Sequence, residues 1–208
     1  MIHFFTENGI EVPTVTADQM REIDRIAMEE TGPNLYQMME NAGRSLASLS
    51  MEFLGDRWNK SRIVVLAGTG GNGGGGICAA RHLANRNVNV KLCLSNPEKL
   101  GVVPQFQYKI FKNAPGKEIQ LNELKENKFD LIIDALIGYS LKGAPTGTML
   151  ELIRWANQVK TPIISLDIPS GVDSTTSETP GDFIRANWTM TLASQKLDSI
   201  LKPLVKFF

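Results

Sequence analysis

The stretch Ile63-Val64-Val65-Leu66-Ala67-Gly68-Thr69-Gly70-Gly71-Asn72-Gly73-Gly74-Gly75-Gly76 decides the fold. An apolar, β-branched run leads into residues 68–76, of which seven of the nine are glycine. Residues 77–83 then favour a helix. A strand, a glycine-rich turn and a helix in this order begin a nucleotide-binding βαβ unit. We therefore expect the glycines to form a turn that uses positive φ angles, with the helix beginning at Gly76.

The glycine-rich segment predicts a site for a phosphate-bearing ligand, because a helix start offers unpaired N–H groups and a partial positive charge. The spacing Gly68-x-Gly70-x-x-Gly73 matches the dinucleotide fingerprint. An ordinary NAD site also requires an acidic residue about 20 positions later, at the end of the second strand. That strand ends here in Leu-Cys-Leu-Ser-Asn, and no Lys-Ser/Thr pair of a Walker A loop follows the glycines. We therefore expect a binding mode different from that of an ordinary dehydrogenase.

The composition is that of one soluble globular domain. The chain has 208 residues, of which 42% are hydrophobic and 21% charged. Lys+Arg and Asp+Glu are both 22, so bulk positive charge does not favour a nucleic-acid partner. Cys78 and Cys93 are expected to be buried thiols of a reducing compartment. With no apolar run of membrane-spanning length and no secretory signal, we expect a cytoplasmic protein, or a mitochondrial one if a leader has been removed.

Strand and helix patterns alternate along the chain. The predicted strands cover residues 63–67, 88–94, 129–135, 162–168 and 188–193, with a short strand near 117–120. The predicted helices cover 16–30, 35–54, 76–85, 104–112, 121–127 and 146–159, the first two capped by Thr16 and Asn34. This alternation predicts an α/β fold with a parallel sheet covered on both faces and an N-terminal helical extension. We expect a single domain over residues 1–208, with an edge strand truncated or lost at the C-terminus.

Polar residues follow three of the predicted strands, at the edge where ligands bind in open α/β sheets. The first group is the glycine-rich segment; the other two are Asp134-Ala135-Leu136-Ile137-Gly138-Tyr139-Ser140-Leu141-Lys142-Gly143-Ala144 and Asp167-Ile168-Pro169-Ser170-Gly171-Val172-Asp173. A carboxylate at the end of a buried strand is costly unless it is paired, binds a cation or transfers protons. One such aspartate is more often a turn or cap residue, but two opposite a glycine-rich segment favour a site.

The residue types narrow the chemistry of this site. Oxygens of Asn72, Asp134 and Ser170 suit a hard cation. A serine nucleophile is disfavoured because the two histidines, His3 and His82, lie in the leader and in a predicted helix. The sequence shows no Cys/His cluster that would predict a zinc site.

Together with Leu35-Tyr36-Gln37-Met38-Met39-Glu40-Asn41-Ala42-Gly43, these segments resemble the YjeF N-terminal domain family, best known for NAD(P)H-hydrate epimerases. The resemblance covers nearly the whole chain. It implies a Rossmann-like three-layer α/β/α sandwich that is often a homodimer. It also implies an isomerase of metabolite repair that interconverts the R and S epimers of NADHX and NADPHX, the hydrated forms of the reduced cofactors. A separate dehydratase then repairs the S form.

The resemblance also implies site residues. A potassium ion is expected at Asn72, Asp134 and Ser170. Asp167 is the candidate catalytic acid/base and a substrate contact. The remaining expected substrate contacts are Gly71, Asn72, Gly73, Gly74, Gly75, Gly138, Tyr139, Ser140, Leu141, Lys142, Gly143 and Ala144.

The chain departs from the family pattern inside the glycine-rich segment. The family's Asn-Asn-Gly-Gly-Asp-Gly stands here as Gly71-Asn72-Gly73-Gly74-Gly75-Gly76, so one amide and one carboxylate are replaced by glycine. This predicts an epimerase with weakened activity. The alternative is a non-catalytic binding or scaffold domain that dimerises and binds a nucleotide or RNA, which Gly71 and Gly75 favour and the intact Asp134, Asp167 and Ser170 oppose. The short C-terminus suggests a truncated or redundant paralogue as a third interpretation.

Overall fold

The computed structural model describes residues 4–5, 11–12, 14–192 and 195–196, with side chains described from 15 to 192. Its centre is a six-stranded, fully parallel sheet. The strands are β1 (Arg62–Ala67), β2 (Asn89–Leu94), β3 (Lys117–Glu118), β4 (Leu131–Ala135), β5 (Ile163–Leu166) and β6 (Trp188–Met190). The spatial order is β3-β2-β1-β4-β5-β6. This is the Rossmann order, in which the direction of strand addition reverses between β1 and β4.

Helices connect and cover the strands. They are α1 (Ala17–Ile26), α2 (Leu35–Leu54), α3 (Gly71–Ala84), α4 (Val102–Phe111), α5 (Leu121–Leu124) and α6 (Gly147–Gln158). A π-helical turn continues α1 over Ala27–Thr31, and 3-10 turns cover Gly55–Lys60 and Pro97–Lys99. Outside the central sheet, Phe4–Phe5 pairs with Glu11–Val12 and Thr14–Val15 pairs with Gln195–Lys196. The end of the last predicted strand, Ala193, and the predicted C-terminal edge lie outside the described residues.

The sheet buries both of its faces. Ile63, Val65 and Ala67 of β1 pack in a core with α2, α3 and α4. Val64 and Leu66 point the other way, into a core with α5 and α6. Fully burying such a side chain stabilises the fold by roughly 1.5–3 kcal/mol. The predicted α/β fold with helices on both faces of a parallel sheet is therefore confirmed.

The N-terminal helical extension is also confirmed, and both of its helix starts carry the predicted caps. The side chain of Thr16 accepts a hydrogen bond from the Gln19 N–H, and that of Asn34 accepts one from the Gln37 N–H. In each case the glutamine returns a side-chain oxygen to the cap N–H, completing a capping box. Between them, the segment from α1 ends before Gly32, as predicted.

The prediction of a positive-φ glycine turn is wrong. Helix α3 begins at Gly71 rather than at Gly76, and no glycine between 68 and 76 has a positive φ. Two of the glycines inside α3 are required for space: a Cβ on Gly73 would collide with the carbonyl oxygen of Gly68, and one on Gly76 with the Cβ of Ala135. Glycine is therefore tolerated inside α3 because the helix packs closely on the strand ends.

Within the part of the chain that the structure describes, none of the helices is both long enough and apolar enough to pass through a lipid bilayer.

Gly73→Ala is expected to lower the free energy of unfolding by roughly 1–3 kcal/mol, because the added Cβ meets backbone that has little room to move. Gly71→Ala is the matched control in the same helical turn. The nearest atom to its Cβ is the Cε of Met39 at 4.0 Å, so stability should be unchanged or rise by at most about 1 kcal/mol. Urea denaturation of both variants measures the difference. Equal transition midpoints would contradict the close packing of α3.

Candidate functional site

A cavity of about 500 Å³ lies beside the start of α3 and the carboxyl ends of β5 and β6. Its other walls come from α1, α2 and the segment that follows β4. The cavity therefore lies at the carboxyl edge of the sheet and includes the segments that follow β1 and β4, between which the strand order reverses. Folds of this kind bind ligands at such a point. The volume lies within the range of small-molecule sites, roughly 300–1,000 Å³.

Some of the predicted substrate contacts line this cavity, and others do not. The lining includes Gly71, Asn72, Gly75, Gly138, Tyr139, Ser140 and Asp167. Gly73 and Gly74 are buried in α3, with Gly74 packed against Met39 and Pro104. Leu141, Lys142, Gly143 and Ala144 lie outside the lining, in the loop before α6, and the last three of them are exposed. Their roles as substrate contacts remain predictions.

Asp134, at the end of β4, is fully buried behind the cavity. Its Oδ1 accepts hydrogen bonds from the Leu136 N–H at 3.2 Å and the Ser170 hydroxyl at 2.6 Å. Its Oδ2 accepts from the Ser165 hydroxyl at 2.7 Å and the Ser170 N–H at 2.9 Å. Burial raises the pKa of Asp134, and these four neutral donors oppose that shift. The carboxylate therefore joins β4, β5 and the turn after β5.

Ser170 connects this buried carboxylate to the cavity wall. Its hydroxyl oxygen accepts a hydrogen bond from the Ile137 N–H at 2.8 Å and lies 3.2 Å from the Ile137 carbonyl oxygen. Gly138, which follows Ile137 in the chain, lies between two site residues. A Cβ on Gly138 would stand 3.3 Å from the Asn72 Oδ1 and 2.9 Å from the Asp167 Oδ2. A side chain at position 138 would therefore crowd both Asn72 and Asp167. The structure thus brings the predicted residues of three segments together.

Asp167 combines burial with an unusual backbone. Its side chain is in the cavity lining, the residue is 4% exposed, and its φ is +71°, which costs a non-glycine residue about 1–3 kcal/mol. Its N–H donates to the Met190 carbonyl at 2.7 Å, and its Oδ2 accepts from the Tyr139 N–H at 3.1 Å. These contacts hold the strained backbone and aim the carboxylate at the cavity. Such strain is typical of functional positions.

Comparisons with known proteins identify the family. A family model described as YjeF-related protein N-terminus matches residues 35–197. The chain belongs to this family. A protein named NAD(P)H-hydrate epimerase from Dehalogenimonas lykanthroporepellens is 51% identical over 195 residues, which cover 94% of this chain and 80% of the relative. Another of that name, from Truepera radiovictrix, is 33% identical over 88% of this chain and 81% of its own length.

A longer relative and a solved structure also match this chain. The bifunctional NAD(P)H-hydrate repair enzyme Nnr of Moorella thermoacetica is 34% identical over 91% of this chain, which spans only 37% of that relative. The crystal structure of yeast ynu0 (YNL200c) superimposes with a TM-score of 0.79 at 24% identity, over 90% of this chain and 83% of the yeast chain. This similarity supports the Rossmann-like α/β fold.

The two glycines that depart from the YjeF family pattern differ in their surroundings. Gly71 lines the cavity, and a Cβ added there would meet only the Met39 Cε at 4.0 Å. A Cβ at Gly75 would stand 2.8 Å from the Cδ2 of Leu166, the mobile end of a side chain. The cavity therefore has room for an amide at position 71, whereas a carboxylate at position 75 requires Leu166 to move.

Sequence reasoning missed several residues of this YjeF-family site. Ser165 donates a hydrogen bond to Asp134, and the only local signal of this role was a lone serine in the apolar strand 163–166. Asp24 of α1 reaches the cavity and accepts a hydrogen bond from the Tyr139 hydroxyl at 2.6 Å. No local pattern marks Asp24, because its partner lies 115 residues away. Met20, Met38 and Met39, which fit a simple core pattern, also line the cavity.

The structure also assembles a cluster that the sequence did not predict. Glu40 of α2 meets Cys78 and His82 of α3, within 4.8 Å of one another. Arg81 donates to both Glu40 oxygens, at 2.6 and 2.7 Å. Burial raises the pKa of Glu40, but hydrogen bonds from Arg81 and His82 and the charge of Arg81 outweigh it and bring that pKa to about 2. Since Arg81 supplies the cation, this cluster is an ion-pair network that holds α2, and with it one cavity wall, against α3.

The two cysteines are buried free thiols, as predicted. Burial raises the pKa of both Cys78 and Cys93 to about 12, which makes them poor nucleophiles.

Proposed function

We propose that this protein is an NAD(P)H-hydrate epimerase, an isomerase that interconverts the R and S forms of NADHX and NADPHX in cofactor repair. Relatives of that name cover most of its length. The observation that carries the proposal is Asp167: a buried carboxylate on a strained backbone faces a cavity of suitable size at the strand-order reversal. Loss and return of the hydroxyl at carbon six require proton transfer to and from its oxygen, and Asp167 is the strongest acid/base candidate in that wall.

The geometry assigns roles to the chain's own groups. The start of α3, with Gly71 and Asn72 in the lining, offers N–H groups to the negatively charged phosphates of a dinucleotide. Apolar side chains of α1 and α2 exclude water from the nicotinamide ring. Asp167 exchanges a proton with the hydroxyl at carbon six of that ring, which leaves and returns when the epimers interconvert. The Tyr139 N–H and the absence of a side chain at Gly138 keep the Asp167 carboxylate oriented for this step.

We expect the potassium ion at the oxygen donors beside this wall. Asp134 is a buried carboxylate whose hydrogen-bond partners, among the described residues, are all neutral. The Nδ2 of Asn72 is buried and lacks a hydrogen-bond partner among the described residues, so it would donate to an acceptor on a bound ligand, while the Oδ1 of the same amide would face the ion. Asn72, Asp134 and Ser170 would hold the ion, which would supply the positive charge that the buried carboxylate lacks.

The remaining features of the proposal concern partners and location. We expect a homodimer, since Tyr36, Val102 and Phe106 are exposed apolar side chains on one surface, with Tyr36 and Phe106 in edge contact at 5.1 Å. We expect an NAD(P)HX dehydratase to consume the product, which agrees with the two activities that the name of the longer, bifunctional relative indicates. A cytoplasmic location is expected for an enzyme that repairs soluble cofactors.

Asp167→Asn is expected to lower kcat by about 10²–10⁴-fold, the usual contribution of a general acid or base. Asparagine tolerates a positive φ and can still accept the Tyr139 hydrogen bond, so the fold should be retained. The assay supplies R-NADHX with excess dehydratase specific for the S form and follows NADH formation. Asp182→Asn, an exposed change in a surface ion pair, is the control. A wild-type rate equal to the spontaneous rate would reject the epimerase and favour a non-catalytic binding domain.

Potassium chloride is expected to raise the melting temperature above that measured in choline chloride of equal ionic strength, because an ion that binds only the folded state stabilises it. Asn72→Ala should reduce this difference, since residue 72 is half-buried at the cavity and its loss leaves the Asp134 network intact. Differential scanning calorimetry of both proteins in both salts makes the measurement. Identical melting temperatures in the two salts would contradict the ion site.

Restoring the family side chains with Gly71→Asn and Gly75→Asp together is expected to raise kcat/KM by about tenfold, the value of one good charge-assisted hydrogen bond. The amide at position 71 has free space, whereas the carboxylate at position 75 needs Leu166 to move. The two changes are combined so that both missing side chains are present together. Gly71→Ala, which adds bulk without polarity, is the control. No gain in the double variant, at an unchanged melting temperature, would show that the glycines do not limit activity.

A further inference from the structure

Three titratable side chains line the cavity within the described part of the chain: Asp24, Tyr139 and Asp167. Tyr139 joins the other two. Its hydroxyl donates to the Asp24 Oδ2 at 2.6 Å, and its backbone N–H donates to the Asp167 Oδ2 at 3.1 Å. The two carboxylates are therefore held at opposite ends of one tyrosine rather than against each other. Both have access to a ligand in the same cavity.

We propose that Asp24 is a second catalytic acid/base, which works on one face of the nicotinamide ring while Asp167 works on the other. This inference rests on the proposed epimerase function and extends the catalytic apparatus to the N-terminal helical extension.

The reaction requires proton transfer at two faces. When the C6–O bond breaks, the nitrogen lone pair of the ring forms a C=N bond, and the leaving hydroxyl takes a proton from one carboxyl group and departs as water. A water molecule then adds to carbon six from the opposite face, its proton passes to the other carboxylate, and the C=N electrons return to nitrogen. No oxidant, reductant or net proton is consumed. A single carboxylate serves only one of these faces, whereas two separated carboxylates serve both and exchange roles in the reverse direction.

Asp24, rather than Tyr139, suits the proton-transfer role. Burial raises the pKa of Tyr139, and its hydrogen bond to Asp24 raises that pKa further, so the phenol keeps its proton. Tyr139 then acts as a fixed donor that orients the Asp24 carboxylate. Among the described residues, no cation forms an ion pair with the Asp24 carboxylate. Arg21 pairs with Asp18, and Arg25 pairs with glutamates of the same helical segment.

The position of Asp24 is well defined, because α1 is docked on the rest of the domain. The Ala17 N–H at its start donates to the Thr175 hydroxyl at 3.1 Å. One turn later, Met20 is 4% exposed and lines the same cavity. With Asp24 one turn further on, α1 presents a buried apolar side chain and an acid to the ligand from one face.

The test compares Asp24→Asn, Asp24→Ala and Tyr139→Phe in the coupled R-NADHX assay, with Glu22→Gln on the exposed face of α1 as the control. Asparagine preserves the acceptor for the Tyr139 hydroxyl but transfers no proton. We expect Asp24→Asn to lower kcat by about 10²-fold or more, with KM and melting temperature little changed. Tyr139→Phe should cost about tenfold, the effect of one lost orienting hydrogen bond. Added formate should partly restore the kcat of Asp24→Ala.

The outcomes separate the inference from the function on which it rests. An active wild type with an Asp24→Asn variant of equal kcat would overturn the role of Asp24 and leave the epimerase standing. The same holds if the variants lose activity only through a raised KM or a lowered melting temperature, without rescue by formate, since Asp24 would then merely hold α1. A wild type that does not exceed the spontaneous rate would remove both. Selective loss of kcat with formate rescue supports Asp24 as an acid/base.

Discussion

The buried carboxylate of Asp134 is the interaction on which the cavity depends. A carboxyl group without solvent is tolerated only when its oxygens are well hydrogen-bonded, and Asp134 receives four such bonds. The donors come from β5, from the turn at Ser170 and from the backbone just after β4. Because this network sets where both strand ends turn, it also sets where Gly138 and Asp167 face the cavity. Losing one donor would leave a buried carboxyl oxygen poorly hydrogen-bonded, which typically costs about 1–3 kcal/mol.

Close packing of α3 is the second constraint on the site. Glycines at the start of α3 let the helix approach the ends of β1 and β4 so closely that a methyl group does not fit at Gly73 or Gly76. This approach places the helix start, with Asn72, next to Gly138. The ion-pair network of Glu40 then fixes α2 on the outer side of α3. The cavity is the space left between these packed elements and α1, and its shape follows from helix contacts rather than from a flexible loop.

The alternation of apolar strands with amphipathic helices was sufficient to predict the α/β fold, because the spacing of apolar residues along each element indicates which face is buried. The helix starts at Thr16 and Asn34 were equally predictable, since a capping box is made by residues three positions apart. The glycine-rich segment was interpreted wrongly at the level of conformation. Its composition is compatible with a turn or with a helix packed too closely for side chains, and only the contacts with Leu136 and Ala135 distinguish the two.

The sequence by itself determined the fold class, the order of the elements and the three segments that end at the same edge of the sheet, because local periodicity and motif spacing are properties of neighbouring residues. It also indicated Asp167 and the oxygens of Asn72, Asp134 and Ser170. Only the tertiary structure decided that Asp24 of the helical extension reaches the cavity through Tyr139, that Ser165 completes the Asp134 network, and that Glu40 meets Arg81. Each of these contacts joins residues far apart in the chain, and their meeting depends on how helices pack on the sheet, which no local pattern encodes.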